Sequence, residues 1–288
     1  MDKLIVITGQ TATGKTSLAH KLALEKNGEL INADSRQIYK HLDIVTGKER
    51  LADVPIWLYD IVEPNTPFSS SEYAQHARRV IKEIHSRGKT PIIVGGTYLY
   101  IKNLLYGFET ESIGPDWNLR EELNTASLED LQMRLMDMNY DMFDSMNNSD
   151  QNNPRRLIRR IEILSHPDPS VSASRRIPQD DKGLAQNDIE IIGLRFADDE
   201  KLRATIEKRV RSRIAAGAIE ETRNLLSMDY KKTDPGLQTI GYKQIIQFLE
   251  GEILEEEMIA LWITAEVQYA KRQYTFMKTN SAIAWHTI

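Results

Sequence analysis

An apolar run, a glycine-bounded loop and a helical pattern in direct succession constrain this chain more than any other feature. Leu4-Ile5-Val6-Ile7 reads as a strand, Gly9-Gln10-Thr11-Ala12-Thr13-Gly14-Lys15-Thr16 fits G-x-x-x-x-G-K-[ST], and Ser17–Leu24 has helical spacing. Strand, loop and helix in that order are the context a phosphate-binding loop requires. Successive backbone N–H groups and the helix start form an anion site. Lys15 adds a point charge, and the Thr16 hydroxyl is placed to ligand Mg²⁺. Which phosphate the loop holds stays open here: a nucleotide or small-molecule kinase fits, but gripping a polyphosphate does not by itself mean phosphoryl transfer.

The first hundred residues continue the alternation. Glu29–Asn32, Trp57–Val62 and Pro91–Val94 read as strands, and Ser70–Arg87 as an amphipathic helix. The expected class is α/β, a P-loop NTPase-like core with a parallel sheet flanked by helices. Ligands of such sheets sit at the carboxyl ends of the strands, so chemistry is expected in loops 9–16, 33–37, 60–69 and 95–98. Asp34 would face the phosphate loop across the sheet top, as a water-mediated Mg²⁺ ligand, a proton acceptor, or only a cap on the following turn. Gly95-Gly96-Thr97 lets backbone approach a ligand and offers a hydroxyl there, or is a tight strand-to-helix turn. The Asp that ends an apolar strand in phosphate-loop ATPases has no clear counterpart; Pro91–Val94 runs into Gly-Gly-Thr, and Asp60 is a weak substitute.

Beyond Gly107 the strand signal fades. Residues 116–145 are polar and helical, with Leu119, Leu123, Leu128, Leu131 and Leu135 at helical spacing. Asn152-Asn153-Pro154 then starts a helix with an Asn cap and Pro in the first turn. Arg155, Arg156, Arg159 and Arg160 fall on one face of it, Leu157, Ile158, Ile161 and Leu164 on the other. Residues 166–188, rich in Pro, Ser and Asp, read as a loop, and Ile189–Leu194 as the last strand. From Asp199 to about Lys278 the pattern is helical, interrupted near Asp234-Pro235-Gly236. The outline is a core of residues 1–109 and 188–288 carrying a mostly helical insertion, 110–187.

The net charge of −5 argues against nucleic acid only as an average, because phosphate binding needs a local positive surface. Acidic residues crowd into Glu252–Glu257 and the 109–150 region. Basic residues cluster at Arg155–Arg160, at Lys208-Arg209 with Arg211 and Arg213, and at Lys271-Arg272 with Lys278. A solvated helix face explains each cluster as well as binding does. With no cysteine, disulfides and thiolate zinc sites are excluded. No apolar stretch approaches the roughly 20 residues that span a bilayer, and a loop starting at Gly9 leaves no room for a cleavable leader. No membrane partner, a cytoplasmic location and a monomer are expected.

Read together, "GQTATGKT", "INADSRQIYKHLDIVTGK", "PIIVGGTYLYIKNLLYG", "NPRRLIRRIEI", "LQTIGYKQIIQFLEGE" and "YAKRQYTF" resemble the tRNA dimethylallyltransferases of bacterial type in order and spacing. The likeness runs from about Leu4 to Lys278. It implies that Gly9 to Thr16 hold the diphosphate of dimethylallyl diphosphate with Mg²⁺, no ATP being consumed. It implies that the Asp34 carboxylate accepts a hydrogen bond or proton from N6 of the adenosine 3′ of the anticodon, with Thr97 near that base. It further implies tRNA contacts at Ser35, Arg36, Gln37, Arg120, Arg155, Arg156, Arg159, Gly241, Tyr242, Lys243, Gln244, Lys271, Arg272 and Gln273. The target base must first leave its stack.

This chain departs from the family pattern at Gln10 and Thr13 in the phosphate loop, at Thr46-Gly47-Lys48-Glu49 after Val45, and at Tyr98 after Gly-Gly-Thr. No Cys/His zinc module follows the core, which keeps the resemblance to bacterial forms. Prenylation of free AMP, ADP or ATP is the nearest competing activity, and it would not need the arginine helix or Lys271-Arg272-Gln273. A kinase and a catalytically silent RNA-binding protein are the others, the last opposed by intact Lys15, Thr16 and Asp34.

Overall fold

Six parallel strands in the order β3-β2-β4-β1-β5-β6 carry the core. The computed structural model describes residues 3–107, 113–166 and 189–288. The strands are β1 (Leu4–Gly9), β2 (Gly28–Asn32), β3 (Ile56–Trp57), β4 (Thr90–Val94), β5 (Ile189–Arg195) and β6 (Ile283–Thr287). All of β1 and β2 is buried, including the polar Thr8, Glu29 and Asn32, as expected of central strands in a parallel sheet covered on both faces. Ile5 and Ile7 pack with Ala19 and Ala23 of α1 (Lys15–Lys26). Helix α2 (Ser70–Ser86) packs on β2 and β4, opened by a capping box between Ser69 and Glu72.

Gly9 shows why the phosphate loop needs glycine where β1 ends. Its φ is +129°, and a Cβ there would collide with the backbone of Leu194 in β5. Gly9→Ala is expected to lower stability by about 1–3 kcal/mol through that overlap, read as a shift of the denaturant midpoint at unchanged slope.

Two expectations change. The strand expected over Trp57–Val62 is only Ile56–Trp57, because Leu58 and Asp60 take positive φ of 66° and 57° and turn the chain. Pairing resumes as one isolated bridge, Tyr39 to Val62. The chain also returns to the sheet after its helices: β6 adds an edge strand beside β5, so Ile189–Leu194 is not the last strand.

By contacts within the chain, residues 1–105 with 184–288 form one unit and 106–183 a second. After α3 (Tyr98–Tyr106), the second unit contains α4 (Trp117–Leu123), α5 (Leu128–Met138), α6 (Tyr140–Asp144), α7 (Asn148–Gln151) and α8 (Pro154–Leu164). Its core joins Leu123, Leu131, Leu135, Leu157, Ile158 and Ile161, the apolar sides of three amphipathic helices. Asn153 caps α8 with Pro154 at its first turn. The loop expected over 166–188 lies, past His166, outside the described residues.

The first unit is completed by α9 (Asp199–Ala215), α10 (Ala218–Ser227), α11 (Tyr242–Leu249) and α12 (Glu255–Met277). Trp262, Tyr242, Ile206, Val210 and Met258 centre their core. None of the helices among the described residues is long and apolar enough to cross a membrane.

Candidate active site

The phosphate loop is shaped by its own chain and by the far end of the sequence. Gln10 N–H donates to Leu194 C=O at 3.0 Å, and the Thr13 hydroxyl to Gln10 C=O at 2.8 Å. Lys15 Nζ folds back onto the same carbonyl at 2.6 Å. Gly14, at φ 76°, opens α1 with no side-chain cap, which leaves the helix N–H groups for an anion. From α12, Gln273 Oε1 accepts Thr11 N–H at 2.8 Å while its Nε2 donates to Gly96 C=O at 2.9 Å. Gln10, at one of the departures from the family pattern, is buried; its Oε1 accepts Phe196 N–H at 2.8 Å and its Nε2 reaches Ala270 C=O at 3.4 Å.

Asp34 follows β2 on the same sheet edge. Its Oδ1 accepts Arg36 N–H at 2.9 Å, so the carboxylate caps the turn, one of the roles open from sequence. A carboxylate has a second oxygen with its own lone pairs, so the cap leaves acceptor capacity. Thr97 is locked to the same turn: its Oγ1 accepts Ser35 N–H at 2.9 Å and lies 3.2 Å from Ser35 Oγ. Arg36 Nη1 donates to Pro235 C=O at 3.0 Å, and Gln37 Nε2 to the carbonyls of Thr46 and Gly47, both at 3.1 Å. These two side chains brace loops.

Two tyrosines, Tyr269 and Tyr59, feel the charge of the carboxylate. The Tyr269 hydroxyl is bonded to Thr97 and Gln273, and its pKa is pushed up to about 12 by burial first and by the charge of Asp34 next. Tyr59 is raised by the same two causes in the same order. Asp34 thus has two neutral phenols as well as the cations Lys15 and Arg213 within electrostatic reach.

One cation of the site comes from an unexpected helix. Arg209 of α9 donates from Nη1 to the Thr11 hydroxyl at 2.8 Å. Burial, and then the charge of Arg209, bring the Lys15 amine down to about 7, against the opposing pull of Asp34 and Glu49. From sequence, a solvated face was explanation enough for Lys208–Arg213. A contrary signal was present: Leu202, Ile206 and Val210 are buried at helical spacing, which turns Arg209 and Arg213 inward with them.

A second contributor missed from sequence is Glu221 of α10. It accepts the backbone N–H groups of Asp43, Ile44 and Val45 at 2.7–3.0 Å and the Tyr242 hydroxyl at 2.5 Å. One carboxylate thus holds the loop that carries Gly47. Tyr242 is fully buried and Gln273 nearly so, each occupied inside the unit, while Gly241 is buried at φ 101° and Gln244 Oε1 caps its N–H at 2.8 Å. Lys243, Lys271 and Arg272 are exposed, with Lys271 paired to Asp199.

In the second unit the arginines divide. Arg120 reaches Glu162 through two bonds of 2.8 and 2.9 Å, and Arg159 pairs with the same carboxylate and donates to Ile113 C=O at 2.8 Å. Burial raises the Glu162 carboxyl, but the bonds from Arg120, Arg159 and the Asp116 amide outweigh it and hold the pKa below the usual value. Arg155, Arg156 and Arg160 are exposed, and Arg156 pairs with Asp150.

The family model described as IPP transferase matches residues 37–280. A tRNA dimethylallyltransferase of Thermoanaerobacter sp. (strain X514) is 36% identical over 293 residues, covering 98% of this chain and 91% of the relative. One from Staphylococcus haemolyticus is 34% identical, with 98% and 86% covered. Among solved structures, the full-length tRNA isopentenylpyrophosphate transferase of Bacillus halodurans matches with a TM-score of 0.71 at 31% identity, over 100% of this chain and 90% of that one. A eukaryotic dimethylallyltransferase captured acting on tRNA matches with a TM-score of 0.81 at 26% identity, over 100% and 74%. By sequence and by fold alike, the chain belongs to the IPP transferase family.

Proposed function

We propose that this chain transfers a dimethylallyl group from dimethylallyl diphosphate to N6 of the adenosine 3′ of the anticodon in tRNA, releasing diphosphate. The observation that carries the reading is the pairing, at the carboxyl ends of the strands, of a cation-lined phosphate loop with the Asp34–Thr97 turn, to which Tyr269 is bonded. It sets a leaving-group site beside an acceptor site. The N6 nitrogen forms a bond to C1 of the prenyl group as the C1–O bond breaks. The electron pair leaves with the diphosphate, and the N6 proton passes to the Asp34 carboxylate. Residues 9–16, Lys15 and Arg209 meet the charge growing on the leaving group, where fixed donors act most strongly.

No group of three or more His, Cys, Asp or Glu side chains among the described residues could hold a metal ion. Mg²⁺ would be held by the substrate phosphates and the Thr16 hydroxyl. Once bound, the ion adds positive charge to the diphosphate oxygens.

The insertion, 110–187, is the tRNA-contacting unit in this reading. Exposed Arg155, Arg156 and Arg160, with Lys243 and Arg272 of the first unit, supply phosphate contacts. Arg120 and Arg159 act mainly through Glu162, and Tyr242 and Gln273 by holding the site. The protein acts as a monomer in the cytoplasm. Reversing charge at Arg155 and Arg160 is expected to weaken tRNA binding and reduce its salt slope by about 0.7–0.9 for each tRNA phosphate no longer neutralised. An unchanged slope, measured by filter binding across salt, would return this face to solvent.

The deciding assay offers labelled dimethylallyl diphosphate and Mg²⁺ with unmodified tRNA, or with AMP, ADP or ATP. Label on tRNA, dependent on adenosine 3′ of the anticodon, is the expected result. Label on free nucleotide identifies an adenylate prenyltransferase. No transfer to either returns the phosphate loop to a kinase reading.

A further inference from the structure

The buried face of α9 carries more positive charge than a phosphate loop requires. Arg213, one turn beyond Arg209, is only 8% exposed. Its Nη1 donates at 2.7 Å to Oε1 of Glu266 on α12, which also accepts Trp262 Nε1–H at 3.0 Å. The second nitrogen, Nη2, and the second carboxylate oxygen, Oε2, are both buried with no hydrogen-bond partner among the described residues. An unmet buried donor is costly, more so when it is charged, and a buried guanidinium nitrogen left without a partner calls for an explanation.

The geometry places this donor beside Arg209, the arginine that reaches the phosphate loop. A Cβ on Gly47 would collide with Arg213 Nη2 and lie 3.3 Å from Arg209 Nη2, so both guanidinium groups crowd the same side of that glycine. Arg209 in turn reaches Thr11 of the phosphate loop. Burial first and Arg209 next bring Arg213 down to about 10, while Glu266 and Asp34 pull the other way. Two arginines held side by side repel each other, and a multiply charged anion between them removes that cost.

We propose that Arg213, held by Glu266, is a second arginine ligand of the diphosphate, binding it through Nη2 beside Arg209. The proposal deepens the prenyl-transfer reading and rests on it. Arg213 would share the charge that departs with the diphosphate, and Glu266 would keep the guanidinium in place between turnovers.

The test uses the full chain and inorganic diphosphate with Mg²⁺, titrated by calorimetry. The double variant R213M/E266Q removes both charges together, which avoids stranding either in the core. It is expected to melt near the wild-type temperature, bind diphosphate at least tenfold more weakly, and raise KM for dimethylallyl diphosphate with KM for tRNA unchanged. A folded double variant with wild-type diphosphate affinity would overturn the proposal. Failure of the wild-type protein itself to bind diphosphate would instead overturn the prenyl-transfer reading. Should the double variant not fold, the Arg213 Nε–H NMR signal of the wild-type protein, assigned by its loss in R213K, is expected to move on adding diphosphate. A signal that stays in place overturns the proposal equally.

Discussion

Asp34→Ala is expected to slow prenyl transfer by about 10²–10⁴-fold, the range for removing a positioned proton acceptor, with tRNA affinity little changed. The carboxylate has two roles that this substitution removes together, because Oδ1 also caps the Arg36 N–H. Asp34→Asn separates them. An asparagine Oδ1 still accepts from that amide, so the turn and the Thr97 contact to Ser35 survive. The acceptor for the N6 proton does not. Single-turnover rates should therefore fall nearly as far in the Asn variant as in the Ala variant. An Asn variant at the wild-type rate would leave Asp34 as a turn cap only.

The second large effect is on pH. Lys15 sits at about 7 in the free site because burial, and then Arg209, disfavour its charge. A bound diphosphate favours the charged amine, so binding takes up a proton whenever the free site has lost one. Affinity for inorganic diphosphate should fall about tenfold for each pH unit above 7, to about a hundredfold at pH 9. Lys15→Met should bind weakly at pH 6 and lose this component of the pH dependence, leaving only the titration of diphosphate itself. Calorimetry in buffers of different ionisation enthalpy counts the protons directly; equal slopes in both proteins would remove Lys15 from the linkage. The stability of the free protein moves oppositely. The unfolded lysine keeps its proton to higher pH than the folded one, so the cost of burying the charge is fully present below pH 7. It is relieved as pH rises, and stability gains accordingly.

The parallel core could be read from the sequence because its signals are local: apolar strands, a glycine loop, amphipathic helices with caps. What escaped depends on partners far along the chain. Trp57–Val62 has strand composition throughout, yet Leu58 and Asp60 adopt left-handed backbone that nothing in their residue type requires. Strand β6 is short, lies on the edge and alternates only weakly, and its place is set by packing: Trp285 stacks edge-on against Tyr274. The candidate site divides in the same way. The phosphate loop, Asp34 and Thr97 announce themselves by motif. Arg209 is one charge in a basic run until its helix is seen to face inward, and Arg120 and Arg159 read as tRNA-facing charge until one buried carboxylate, Glu162, joins them.

The bonds from α12 to the phosphate loop have a consequence for the order in which the protein becomes competent during synthesis. Thr11 waits for a partner 262 residues downstream, and Gln10 for one 260 residues away. A nascent chain released by the ribosome as far as β4 already has four neighbouring strands of the sheet, but its anion loop lacks both Gln273 and Arg209. Domains begin to fold from the amino terminus during translation, so an early intermediate here would carry the motif without the finished binding geometry. Helix α12 acts as a latch: the Thr11 N–H finds its partner in Gln273 only when almost the whole chain has been made.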